Sequence, residues 1–169
     1  VINPHKTTCM LIGSKHRLSK IDNFQLMLGE NSITRVTSQK LLGVHIDDNL
    51  SWKVHIDKTC AKLISKLYLL KRINGFLTFD MKIMFYRSYI TPIFYYGCII
   101  WRHGKVSDIN RISKIQKRIA RTILYKPQRS SSNENFHTLS WLSFSNRTNY
   151  FTAIMVYKKI HCLAFSYMD

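Results

Sequence analysis

Over the first fifty residues the apolar positions come in short runs, and after Ser51 they recur at helical spacing. Thr7–Ile12, Phe24–Leu28, Ile33–Val36 and Leu41–Ile46 read as strands, separated by Gly13-Ser14 and by Gly29-Glu30-Asn31-Ser32, because these residues favour turns. Gly43 interrupts the last run at a point where a side chain would obstruct a bend or an approaching backbone. Asp47, Asp48 and Asn49 then end the strand. The first half therefore predicts a small, mostly antiparallel sheet with no helix of its own, and hence the edge of a larger domain.

From Ser51 to Asn74 the period is that of a helix, with Ser51 as a possible cap and Asn74-Gly75 as the stop. Ile56, Cys60, Leu63, Ile64, Leu67 and Leu70 fall on one face, with His55, Lys58, Lys62 and Lys66 opposite. Such a basic row can track a phosphate backbone or be a solvated face.

Phe79–Trp101 is the most apolar segment. Part of it, Ile83–Trp101, has the length of a membrane span but contains Arg87 and Pro92, and a charge at mid-membrane is costly. A buried helix broken near Pro92 is favoured; a membrane-associated protein is the alternative. Tyr86, Tyr89, Tyr95, Tyr96 and Trp101 could stack on bases, but in so apolar a stretch core packing is favoured.

Ser107–Tyr125 gives the clearest helical pattern, with Ile109, Ile112, Ile115, Ile119 and Ile123 in one stripe. Arg111, Lys114, Arg118 and Arg121 lie nearly opposite, with Lys117 beside them and no acid after Asp108. Like charges at this spacing repel, so the row calls for an external anion. Pro127–Asn135 reads as a linker, Phe136–Leu142 as a short helix or turn, and Asn146 to about Phe165 as an amphipathic helix with Tyr150, Ile154, Tyr157 and His161 in one row. The fold class is α+β: a small antiparallel strand region over residues 1–50 followed by a mostly helical bundle. The expected divisions are 51–126, a linker over 127–135, and 136–169.

Charge sharpens this picture. The chain's 169 residues include 26 Lys and Arg against 9 Asp and Glu, a net charge of +17. That imbalance predicts a polyanionic partner, of which nucleic acid is the commonest. The four cysteines are widely spaced, without Cys-x-x-Cys or histidines at ligand spacing, so no zinc site or disulfide framework is indicated. Reduced thiols suit a nuclear or cytoplasmic protein. The sequence starts at Val1 with no signal-peptide pattern, and a fragment is expected.

Several words, in order, resemble the C-terminal part of the reverse transcriptases of non-LTR (LINE-like) retrotransposons. They are Asn3-Pro4-His5-Lys6-Thr7; Leu42-Gly43-Val44-His45-Ile46-Asp47 with Leu50-Ser51-Trp52 and His55-Ile56; Tyr86-Arg87-Ser88-Tyr89-Ile90-Thr91-Pro92; Tyr96-Gly97 and Trp101; Gln116-Lys117-Arg118 with Arg121; and Phe136, Leu139, Trp141-Leu142 and Arg147. The resemblance implies the end of a polymerase palm followed by a thumb that grips primer and template. It implies that Lys6 lies near the incoming nucleotide and can assist proton transfer to pyrophosphate, and that the hairpin containing Leu42 and Gly43 supports the primer end.

Asp47-Asp48 invites comparison with the aspartates by which polymerases hold two magnesium ions. In the resembling family that pair follows an aromatic residue in a Phe/Tyr-x-Asp-Asp hairpin, whereas His45 stands here. The pair also lies upstream of the lysine motif, and Asp47 lies downstream of Lys6. Asp47 and Asp48 therefore read as turn and helix-start residues, and no metal ligand is expected in this chain; Mg2+ is expected only for the complete enzyme. Expected partners are RNA template, DNA primer, their hybrid duplex and the rest of the polymerase. The competing reading is a stand-alone basic helical module that binds RNA or DNA without catalysis.

Overall fold

The computed structural model describes residues 3, 6–21 and 24–163. Pro4 and His5 of the Asn3–Thr7 word, Asp22, and Phe165 at the expected end of the last helix lie outside the described residues. The chain divides into two compact units, Val1–His55 and Ile56–Asp169.

In the first unit, β1 (Thr8–Cys9) runs parallel to β3 (Asn31–Arg35), and β2 (Leu26–Leu28) pairs antiparallel with β3. A single helical turn, α1 (Lys15–Leu18), follows β1 and is capped by the Ser14 hydroxyl, which accepts from the Arg17 amide at 3.4 Å. The sheet region thus has a short helix that the apolar pattern did not signal. The expected strand Leu41–Ile46 is instead the middle of a hairpin, with β4 (Ser38–Leu41) antiparallel to β5 (Val44–Asp47). Leu42 and Gly43 form its two-residue turn, at φ 45° and 85°, and two successive positive φ values are what matches a tight turn to the right-handed twist of the strands. Glycine adopts this freely, whereas Leu42 does so against a steric cost of about 1–2 kcal/mol.

Asp47 closes the hairpin unit. Its carboxylate accepts from the Ser51 hydroxyl at 2.5 Å, the Ser51 amide at 3.0 Å and the Trp52 amide at 2.9 Å. It thereby holds the turn that leads into α2 (Lys53–Ile73). Ser51 in turn accepts from the Lys53 amide at 3.3 Å. Burial pushes the Asp47 carboxyl up, but these hydrogen bonds outweigh it and hold its pKa below the ordinary carboxylate value.

The second unit is helical. The buried face of α2 consists of Ile56, Cys60, Leu63, Leu67 and Leu70, with Ile64 half-buried. The apolar segment that follows is not one helix broken at Pro92. It comprises α3 (Phe79–Phe85), a π turn over Tyr86–Ile90, α4 (Thr91–Tyr95) and α5 (Cys98–Trp101). The π turn absorbs the proline: Pro92 has no amide to place in a helical ladder, and the Thr91 amide and hydroxyl both reach back to the Tyr86 carbonyl. The break comes at Tyr96-Gly97, where Gly97 takes φ 59° and the Trp101 indole donates to the Tyr96 carbonyl at 3.0 Å. Tyr86 and Trp101 are buried, Tyr95 is half-buried, and Tyr89 and Tyr96 are exposed. No helix among the described residues is long and apolar enough to cross a membrane.

Helix α6 (Val106–Ile123) buries Ile112, Ile115, Ile119 and Ile123 as the stripe predicts, with Ile109 half-buried. The expected linker is helical in its second part: Ser131 caps α7 (Ser132–Thr138), its hydroxyl accepting from the Glu134 amide at 3.4 Å. In α8 (Phe144–Ile160) the buried residues are Phe144 and Thr148, whereas Tyr150, Tyr157 and His161 of the expected row are exposed. Arg102, just past α5, ties that end to α8, donating to the Thr152 hydroxyl at 2.6 Å, the Thr148 carbonyl at 3.3 Å and the Asn149 side chain.

One buried polar side chain links α6 to the start of α8. Gln116 is 1% exposed. Its amide donates to the Leu142 carbonyl at 3.0 Å, and its oxygen accepts from the Phe144 amide at 2.7 Å. Replacing it with leucine strands the buried Phe144 amide and removes the partner of the part-buried Leu142 carbonyl, so Gln116→Leu is expected to destabilise the helical unit by about 1–3 kcal/mol. Chemical denaturation checks this, and a loss below about 0.5 kcal/mol contradicts it.

Because the Asp47 pKa is depressed on folding, its contribution to stability is fully present above the unfolded carboxylate value of 3.8. That contribution is lost as pH falls through the lower folded value. Asp47→Asn is therefore expected to destabilise the hairpin at neutral pH and to flatten the fall of its stability in acid. Amide exchange of β4 and β5 followed against pH tests both effects.

Candidate nucleic-acid interface

The cations that the sequence places in two long rows take up several different positions. On α2, Lys58 and Lys62 are exposed and Lys66 lies half-buried with its ammonium 5.7 Å from the centre of the Tyr89 ring. His55, expected on the same basic face, is buried, and its Nδ1 accepts from the His45 amide at 3.3 Å. It is a structural residue of the first unit and not part of an exposed row.

On α6 the expected need for an external anion does not extend to Arg111. Its guanidinium pairs with Asp57 of α2 at 2.5 Å and with Asp108 at 3.3 Å. Helical periodicity pairs residues within one helix only, so an acid supplied by the neighbouring helix was invisible to it. Lys114 is exposed and Lys117 half-buried.

Arg118 and Arg121 instead enter a cleft of about 580 Å³ where the ends of α2 and α6 meet. Lys71 of α2 and Lys126, just past α6, bring it to four cations, and Asn74, Thr122, Tyr125 and Gln128 complete its lining. The lining holds no carboxylate. The Asn74 side chain fixes the two helix ends to each other by donating to the Thr122 carbonyl at 2.9 Å.

The chain reverses after α6 in a way that carries Lys126 to this cleft. The Tyr125 amide returns to the Thr122 carbonyl at 3.4 Å, and the Lys126 amide to the Arg121 carbonyl at 3.0 Å. This is the double bond pattern of a left-handed helix stop, with Tyr125 at φ 52° where glycine is usual. Tyrosine is held there by its own hydroxyl, which donates to the Asn74 carbonyl at 2.7 Å and accepts from the buried Lys82 ammonium at 3.0 Å.

Two buried atoms at the cleft have no hydrogen-bond partner, Asn74 Oδ1 and Arg121 Nε. Four positive side chains lining a cleft without a carboxylate make an anion-seeking surface. The carbonyl ends of two helices supply partial negative charge that lets the cations gather without a carboxylate. Periodicity placed Arg118 and Arg121 on a basic row but missed Lys71, Asn74, Tyr125, Lys126 and Gln128. Lys71-Arg72 at a helix end was the local signal available for part of that set.

In the first unit, Leu42 is 84% exposed at the hairpin tip beside the exposed Gly43 and Leu41. Lys6 is also exposed, in a turn where its amide donates to the Asn3 carbonyl at 3.1 Å. Asp47, with its carboxylate already accepting three hydrogen bonds, serves the turn. Among the described residues no group of three or more His, Cys, Asp or Glu is arranged to hold a metal ion.

No family model matches the chain, and no solved structure matches it. Over 97 residues, 56% of this chain, the sequence is 31% identical to a curated protein described as a probable RNA-directed DNA polymerase from transposon X-element of Drosophila melanogaster. The chain spans 11% of that relative's length. The chain is thus similar to part of a transposon RNA-directed DNA polymerase, in agreement with the resemblance to non-LTR reverse transcriptases carried by its motifs.

Proposed function

We propose that this chain is part of the RNA-directed DNA polymerase of a non-LTR retrotransposon and that its helical unit grips the primer–template duplex. The observation that carries the reading is the acid-free cleft of Lys71, Arg118, Arg121 and Lys126, whose charge is suited to the phosphates of a backbone. Such contacts position a duplex without reading its sequence, as a polymerase that copies any template requires.

In this reading the Leu42-Gly43 hairpin tip supports the primer end. A strained, exposed leucine at φ 45° fits a contact made with something outside the chain. Lys6 assists proton transfer to the departing pyrophosphate. The magnesium ions of the complete enzyme are held by carboxylates other than Asp47, and this chain alone does not extend a primer. Its setting is nuclear or cytoplasmic, where template and primer are found. A stand-alone RNA- or DNA-binding module would use the same cleft; primer extension after restoration of an upstream polymerase region separates it from the enzyme reading.

Binding of an RNA–DNA hybrid measured across salt concentrations tests the grip. Log affinity is expected to fall linearly with log salt, and changing Lys71, Arg118, Arg121 and Lys126 to glutamine should reduce the slope by about three or four, close to one per contact. The same change at Lys58, Lys62 and Lys114 should reduce it less. Equal slopes for both variants would reduce the cleft to one part of a diffuse positive charge.

A further inference from the structure

A second cleft, distinct from the basic one, lies between the π turn and the start of α8. It measures about 310 Å³, and its walls include Tyr86, Arg87, Tyr95, Ser140, Trp141 and Arg147. Arg87 and Arg147 both line it, and among the described residues neither pairs with a carboxylate. Arg147 Nε is buried with no hydrogen-bond partner, although its guanidinium rests 5.8 Å from the Tyr95 ring centre and 5.3 Å from that of Phe151. Stacking holds that charge in place but leaves its donors unused. The opposite character comes from the aromatic wall, where Tyr86 covers one face of the Trp141 indole at 3.6 Å and Trp141 remains half-buried.

We propose that this cleft binds a single nucleotide, with its phosphate held by Arg87 and Arg147 and its base against the aromatic wall. Two guanidiniums match the oxygens of a phosphate in geometry and charge. The volume sits at the low end of the range of about 300–1,000 Å³ typical of small-molecule sites, which suits one nucleotide and excludes a duplex. An acidic peptide would satisfy the arginines while leaving the aromatic wall without a planar partner. The nucleotide is either free or one residue of a single strand, and both present the same phosphate and base. The site does not rest on the grip proposed for the basic cleft, with which it shares no residue.

Isothermal titration of the chain with AMP, adenosine, inorganic phosphate, a short oligoadenylate and a polyglutamate peptide tests this. AMP is expected to bind saturably at one site, with adenosine and phosphate each weaker by about tenfold or more, since stacking and charge both contribute. Arg87 is exposed, so Arg87→Gln should weaken AMP by about tenfold without moving the thermal midpoint. Arg118→Gln with Arg121→Gln should leave AMP affinity unchanged while reducing hybrid binding. Oligoadenylate binding more tightly than AMP, in an Arg87-dependent way, identifies a strand as the source, and AMP binding as tightly as the oligomer identifies the free nucleotide. Non-saturable AMP binding, insensitivity to Arg87→Gln, dependence on Arg118 and Arg121, or preferential binding of the peptide would overturn the proposal.

Discussion

The helical unit depends on α6, and α6 depends on a contradiction resolved at Gln116. A helix whose inward stripe is isoleucine can be packed by any apolar surface, which fixes burial but not register. Gln116 lies on that buried side, and its amide must find partners of definite geometry. In the structure it engages the Leu142 carbonyl, the Tyr86 hydroxyl and the Phe144 amide, and the last of these sets where α8 begins. Phe144 can then stack on Trp101 and Tyr95, at 5.6 and 5.9 Å between ring centres. Burial provides the driving force, and one amide selects the arrangement.

The same logic applies at the far end of α6. The helix stop is made by a tyrosine in a conformation that glycine favours, because its hydroxyl satisfies the Asn74 carbonyl and the buried Lys82 ammonium together. That stop brings Lys126 beside Arg121, and the Asn74 amide draws the end of α2 alongside. The basic cleft is thus a product of helix termination. Its cations come from two helix ends and a reversal, not from a continuous face.

What could be read from residues alone followed from how local the cause was. The helices from Lys53 and from Val106 were legible because their apolar period is internal to each segment. Asp47 is the last residue of β5, but its carboxylate serves the turn and the entry to α2 as expected, and this was legible because its partners, Ser51 and Trp52, lie within five positions. The apolar run hid the Leu42-Gly43 turn from the strand pattern, since nothing in a leucine announces a positive φ, although the family resemblance implied a hairpin there. Pro92 was expected to break its helix, but a π turn before it accommodated the missing amide and moved the break to Gly97. Arg111 and His55 departed from their basic rows because their partners, Asp57 and the His45 amide, are set by tertiary packing and a strand. Lys71 and Lys126 joined the site for the same reason.

The most direct test of the basic cleft as the duplex grip is a lysine footprint: acetylation rates of individual lysines with and without a bound RNA–DNA hybrid. The account predicts that Lys71 and Lys126 become protected while Lys58 and Lys62 on the outer face of α2 stay reactive. Protection of Lys58 and Lys62 with Lys71 and Lys126 unchanged would contradict it and place the duplex on the helix face instead of the helix ends.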